Sequence, residues 1–298
     1  MLPAILTAIL FAFSAVVSQR ATRIFGALPA NAYRLCIACA VLGLITLATD
    51  ATRGTSSLHS ELFGSYYWSG LIGFGIGDIA LFLAYARLGS RLTILLNWCA
   101  AALVAAAGDL WLRAHGLTLP QCGGVAAIMA GLLVALWPSG EAGKKHAPAG
   151  YLWALLAGVG MGMGTVISGL ANDQAQTLGV EVYGISQAFQ RSTAGVTAAL
   201  AALMVVSHSP LAAPAKPWKH KPFWLIATAL CGPVAGVSCY QWAQLELRSS
   251  ATVVAIAATS TLLVIPLAKL MERDAPSPRQ IAGTVLAAAG IILLKLYS

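Results

Sequence analysis

Charge is what this sequence has least of. Only 9% of its 298 residues are Asp, Glu, Lys or Arg, against roughly 25% in soluble domains, so the chain cannot cover an aqueous surface. Several enzyme signatures are missing too. There is no HExxH or clustered ligand set for a metal, no GK[ST] to complete a phosphate-binding loop, and no nucleophile motif. His59, His115, His146, His208 and His220 all fall in polar connecting stretches. No enzymatic activity, cofactor or metal is therefore expected, and ATP-driven work would need a separate subunit. The opening segment, MLPAILTAILFAFSAVVSQR, has no basic region ahead of its apolar run and reads as a retained first membrane helix rather than a secretory signal.

What is there is apolar. Hydrophobic residues make up 58% of the chain and the mean hydropathy is +0.78, the composition of a multi-pass membrane protein with little mass outside the bilayer. The excess of 18 Lys and Arg over 10 Asp and Glu then reflects loop bias across a membrane, not nucleic-acid binding. The six cysteines, Cys36, Cys39, Cys99, Cys122, Cys231 and Cys239, all lie in apolar runs. The CIAC pair lacks the strand–helix context of a redox motif, so all six are expected to be small buried hydrophobes.

A helix needs about 20 apolar residues to cross a hydrocarbon core of roughly 30 Å. Breaking the chain at polar, Pro and Gly clusters leaves ten such runs, near 2–20, 32–49, 67–86, 92–113, 118–137, 150–171, 183–206, 223–245, 251–270 and 280–297. The second half resembles the first. Trp68, YARL and Arg91 match Trp224, WAQL and Arg248, and Gly75 matches Gly232. Gln121, Gly124 and Gly131 match Gln280, Gly283 and Gly290, and Arg34 matches Arg191. An odd number of crossings per copy forces the second copy to enter from the opposite side. The expected fold is thus an all-α polytopic membrane protein of ten transmembrane helices, built as two inverted five-helix repeats over 1–137 and 150–298 with a connecting loop at 138–149.

These residues carry a family resemblance. An Arg opens the second helix of each half, a glycine-rich third helix ends in YARLGSR or WAQLELR, and a Gly-x6-Gly helix closes each repeat. Over essentially its whole length the chain resembles the EamA-like drug/metabolite transporter superfamily. The resemblance implies a ten-helix basket that moves small organic metabolites. It also marks departures: the proline usual in the fourth helix of each half is present as Pro266 but absent from the first half, and Glu272 is matched there by Arg113. Orientation divides the two lines of reasoning. Setting Arg34 and Arg191 aside, twelve basic residues fall on one side and four on the side of the termini, which by the positive-inside rule puts both termini outside the cytoplasm. The family resemblance implies the reverse.

Asp78 is the residue that stands out. It sits about eleven residues into its span, where a charge costs roughly 2.5–3.5 kcal/mol on insertion scales and faces the bundle interior. It reads either as a carboxylate that binds a proton or an amine, or as an Arg-paired Asp that locks two helices. Tyr183, Gln187, Gln190 and Arg191 recur at helical spacing as a polar stripe, with Arg191 suited to a carboxylate or phosphate. Asn97 with Trp98, and Tyr240 with Gln241, complete the expected substrate-binding set. Arg34 is expected to be a coupling or structural charge, and Pro233, Gly75 and Gly77 to be hinge points. The alternate glycines Gly158, Gly160, Gly162 and Gly164 are expected to serve close helix packing.

The expected function is secondary-active transport of small polar or amphipathic metabolites, export included, across the cell inner (plasma) membrane by alternating access. The partners would be a small-molecule substrate, the lipid bilayer and protons, with the protein a monomer or homodimer. A non-transporting receptor or scaffold, and an intramembrane enzyme, are the competing classes. A scaffold would have no wet cavity; an enzyme would need a reactive constellation on facing helices.

Overall fold

A computed structural model describes residues 1–54, 56–114, 116–136, 148–205, 222–263 and 278–297. Pro266, Glu272, His115, His146, His208, His220 and most of the 138–149 loop lie outside the described residues. All regular elements among the described residues are helical. Among the described residues six helices are long and apolar enough to cross a membrane, and three shorter ones are apolar. The protein is an all-α polytopic membrane protein.

Helix α1 (Leu2–Phe25) starts with Pro3 in its first turn, where a missing N–H costs nothing. It runs past Arg20 and Arg23, five residues beyond the expected end, because Arg20 can lie 4.8 Å over the Trp224 ring while its stem covers apolar surface. Gly26, at φ +85°, turns the chain in a single residue into α2 (Ala27–Arg53), earlier than expected. Helix α3 (Ser60–Gly70) widens into a π-helical segment, Leu71–Asp78, and continues as α4 (Ile79–Trp111). Gly89 breaks α4 at φ 75°, ψ 177°, so the third and fourth crossings are Glu61–Gly89 and Leu92–Trp111.

Helices α5 (Leu119–Leu136), α6 (Pro148–Leu178) and α7 (Gly184–Val205) follow. The end of α6 overshoots the expected 171 because Asn172 accepts a bond from the buried Tyr66 hydroxyl at 2.7 Å and Asp173 is bound by Arg113. Helix α8 (Pro222–Ala229) passes through a second π segment, Leu230–Val234, into α9 (Ala235–Leu247). Then come α10 (Ser250–Ala258) and α11 (Pro278–Leu296). The two π segments hold Gly75 and Gly77 in one and Pro233 in the other. Their starts align Gly73, rather than Gly75, with Gly232.

Helix packing falls into two groups. In one, α6 lies between α3 with its π segment and α4; in the other, α1 packs on α8, α9 and α10. Helices α2 and α7 pair, as do α5 and α11. The alternate glycines of α6 explain the first group. A Cβ at Gly158 or Gly162 would press into the backbone of α4 around Asn97 and Ala101, and one at Gly160 or Gly164 into Ile72, Gly77, Ser69 and Gly73. Residues two apart point to opposite sides of a helix, so the run lets two neighbours approach at backbone distance.

The cysteines depart from expectation. All six are free; Cys122 is exposed and the other five are only half-buried. In a bilayer an outward position meets acyl chains, so a thiol there needs no core.

Candidate functional site

Between the two helix groups lies a cavity of about 600 Å³, counting the part open to solvent. One wall comes from the π segment and α4, with Phe74, Asp78, Phe82, Tyr85, Asn97 and Trp98. The facing wall is α1, with Phe11, Ser14 and Ser18, together with Gly232 and Pro233 of the second π segment and Ser260. Arg34 of α2 closes one end. A π segment adds a residue to a turn and re-aims the side chains after it. Here it carries Asp78 toward the cavity at the point where the α-helix resumes.

Asp78 and Arg34 form an ion pair in this wall. The Arg34 Nη2 donates to the Asp78 carboxylate, Nε donates to Asn31 Oδ1 at 3.2 Å, and the guanidinium lies 4.7 Å over the Phe82 ring. The side chains are 7% and 13% exposed, so the pair is largely desolvated yet reachable from the cavity. Gly232 packs beside it: a Cβ there would sit 2.7 Å from Ser14 Oγ and 3.2 Å from Arg34 Nη1, so those side chains would have to shift. Phe11 stacks 6.0 Å from Trp98 and lies 6.0 Å from Tyr240, forming an aromatic floor. Asn97 Nδ2 donates to the Met161 sulfur at 3.6 Å.

The predicted site residues therefore divide. Asp78, Arg34, Asn97, Trp98 and Pro233 line the cavity. Gln187, Arg191 and Gln241 form a separate buried cluster beside it. Arg191 Nη1 donates to Ser168 Oγ at 2.7 Å and to Gln241 Oε1 at 3.0 Å, and Gln241 Nε2 donates to Gln187 Oε1 at 2.9 Å. Arg191 forms no ion pair among the described residues, and its guanidinium lies 5.3 Å from the ring centre of Phe74, the side chain that separates it from the cavity. Tyr240 lies beneath the floor, its hydroxyl 2.8 Å from Thr165 Oγ1. Tyr183 stands apart: it precedes α7, its hydroxyl donates to the exposed Glu181 at 2.8 Å, and Arg53 covers its ring at 4.4 Å. It is not on the stripe's inner face because the helix begins one residue later, at Gly184.

Sequence reasoning missed a third cluster. Arg113 binds Asp173 through both carboxylate oxygens at 2.9 Å each and Asp109 at 2.9 Å. Asp109 and Arg113 are both buried. The signal was present as an acid–base pair at i and i+4, but Asp173 comes from another helix. Among the described residues no group of three His, Cys, Asp or Glu could hold a metal ion.

The chain is similar over 99% of its length to 96% of a solved chain described only as "Crystal structure of protein", with a TM-score of 0.70 at 19% identity; this likeness concerns the fold. No curated protein matches it. The model of the EamA-like transporter family matches residues 148–296, half of the chain. The protein belongs to the EamA-like transporter family, and so to the membrane transporters of the drug/metabolite type.

Proposed function

We propose that the protein is a secondary-active transporter that moves a small polar or amphipathic organic solute, amino-acid-like in its charges, across a plasma or inner membrane by alternating access. The observation that carries this reading is the cavity between the two helix groups with the Asp78–Arg34 pair in its wall. A buried pair of this kind offers exchange. A zwitterionic solute takes both partners, its ammonium pairing with Asp78 and its carboxylate with Arg34, so that one ion pair becomes two and no charge is left bare. Phe11, Phe82 and Trp98 supply the apolar surface for the rest of the solute. A proton on Asp78 would release Arg34 to pair with a solute carboxylate, which is how coupling would enter.

Two further observations support the reading. A Cβ on Gly124 would meet Gly290, and one on Gly131 would meet Gly283. These are reciprocal contacts between matched positions, as expected of inverted repeats over 1–137 and 150–298 with ten crossings in all. The hinge role of Gly75, Gly77 and Pro233 is supported by their place in two π segments of equivalent position. The Gln187, Arg191 and Gln241 cluster would receive the solute's acidic group once Phe74 moves.

The test is a thermal-shift panel of amphipathic amines, carboxylates and zwitterions on purified protein, followed by flux in reconstituted vesicles. A ligand at 100 times its Kd stabilises by about 2.7 kcal/mol. The expected result is a zwitterion or amine that raises Tm in the parent and not in Asp78→Asn, with flux whose pH dependence that substitution removes. Flux and pH profile unchanged in Asp78→Asn would take the carboxylate out of the mechanism.

A further inference from the structure

A hydrogen-bonded seam runs from the cavity floor to the membrane face that carries the N-terminus. That face is fixed by the Met1 amine, which pairs with Glu246 at 2.8 Å. The seam starts at Tyr240, below Phe11, with its bond to Thr165. Gln244 Nε2 donates to the Thr165 carbonyl at 2.6 Å and to Ser250 Oγ at 3.3 Å, and Arg113 Nη1 donates to the same Ser250 hydroxyl at 3.1 Å. At the end of the seam Asp109 Oδ2 accepts from Ser249 Oγ at 3.1 Å and from the Ala251 N–H at 3.0 Å. Every one of these bonds joins the α4–α6 group to the α9–α10 group, except the Gln244–Ser250 link within the latter.

We propose that Asp109 is a gate residue of the transporter, a carboxylate that caps the N-terminus of α10 from across the seam and lets go of it when the N-terminal face opens. This rests on the transport reading and adds residues to it. Asp109 is 0% exposed, and a buried ionic group is poor value as a stabiliser, since apolar residues of like volume serve as well. Its surroundings are those of a contact built to part. On leaving α10, Asp109 keeps Arg113 at 2.9 Å, two residues past the end of its own helix. Arg113 keeps Asp173, which water already reaches at 33% exposure. On the other side, Ser249 Oγ already accepts from the Thr252 N–H at 3.2 Å, so α10 retains its own N-cap. The Ala251 N–H and the Tyr240 hydroxyl lose their partners on separation, and the water that an open seam admits takes their place. The α4–α6 contact differs: Gly158 and Gly162 bring those backbones together and Gly108 takes the Val166 side chain, so the α4–α10 side is the one that can move.

Ala105 reports on the seam, because Trp98, Ala102, Ala105 and Asp109 recur at helical spacing on α4 between cavity and gate, and Ala105 is 0% exposed. With the six native cysteines replaced, Ala105→Cys is labelled by a membrane-impermeant maleimide from the N-terminal face. Labelling is expected to be slow in the parent and about tenfold faster with Asp109→Asn and with Gln244→Leu, the shift that ~1.4 kcal/mol produces. No acceleration with either substitution overturns the gate. Ala287→Cys, buried between α5 and α11, is the control for folding: an equal acceleration there also overturns it, because Asp109 would then hold the fold and not a gate. Ser14→Cys in the cavity wall tests transport separately. Protection of that thiol from both faces removes the transport reading, whereas a reactive Ser14→Cys beside an unresponsive Ala105→Cys removes the gate alone.

Discussion

At the scale of single residues, Asp78 and Arg34 constrain each other. Removing one partner of a desolvated pair leaves the other charge uncompensated, at a cost of about 3 kcal/mol. Asp78→Asn and Arg34→Gln are each expected to lower the melting temperature in detergent, and the double substitution to recover more than half of the combined loss. Additive losses would mean that the two charges act independently. Asp78 was legible in the sequence because a lone carboxylate in an apolar run needs a reason. Arg34 was legible for the same reason, but their pairing was not, since it depends on α2 meeting a π segment 44 positions away. The same limit applies to Arg191. Its inward position follows from helical spacing, whereas the Phe74 side chain that parts it from the cavity is a tertiary fact.

At the scale of elements, glycine decides how closely helices pack. Gly160→Ala is expected to destabilise strongly, because its Cβ would lie 2.9 Å from both Gly77 Cα and the Ile72 carbonyl oxygen, and backbone cannot step aside as a side chain can. Gly64→Ala, with nothing within 4 Å, is expected to be neutral or to gain the ~1 kcal/mol helix propensity of alanine over glycine; thermal melts of the two variants check both signs. Helix α7 poses the opposite problem. It belongs to neither the long nor the short apolar helices, and Ser186, Gln187, Gln190, Arg191 and Ser192 on it are all buried. Neighbours, not lipid, solvate this helix. As an isolated segment in a translocon assay, 184–205 is expected to insert poorly and Arg191→Leu to restore insertion, given the 2.5 to 3.5 kcal/mol that a central Arg costs. Efficient insertion of the parent segment would show that α7 needs no partners. The π segments left no trace in the sequence, because a one-residue widening does not change the apolar count of a span, and glycine or proline inside it reads equally well as a kink.

At the scale of the whole molecule, the signature shared by α5 and α11 is readable in the sequence, and the structure gives it a physical use in the contact between them. What the sequence could not supply is the seam, assembled from Asp109, Thr165, Gln244 and Ser250 on four different helices. The reciprocal contacts make a specific demand. If matched positions are related by a two-fold axis, equal lesions must have similar effects. Gly131→Leu would drive its side chain into the Gly283 carbonyl and Ala287, and Gly290→Leu into the Gly124 carbonyl and Ile128. Each is expected to lower the melting temperature, to a similar extent, by separating the same two helices. Gly123→Leu on the neighbouring face is exposed and meets only Leu293 at 3.5 Å, an ordinary contact, so it should be tolerated. Tolerance of Gly290→Leu beside collapse of Gly131→Leu would mean that the two helices touch without symmetry. The inverted-repeat reading would then lose the contact that best supports it.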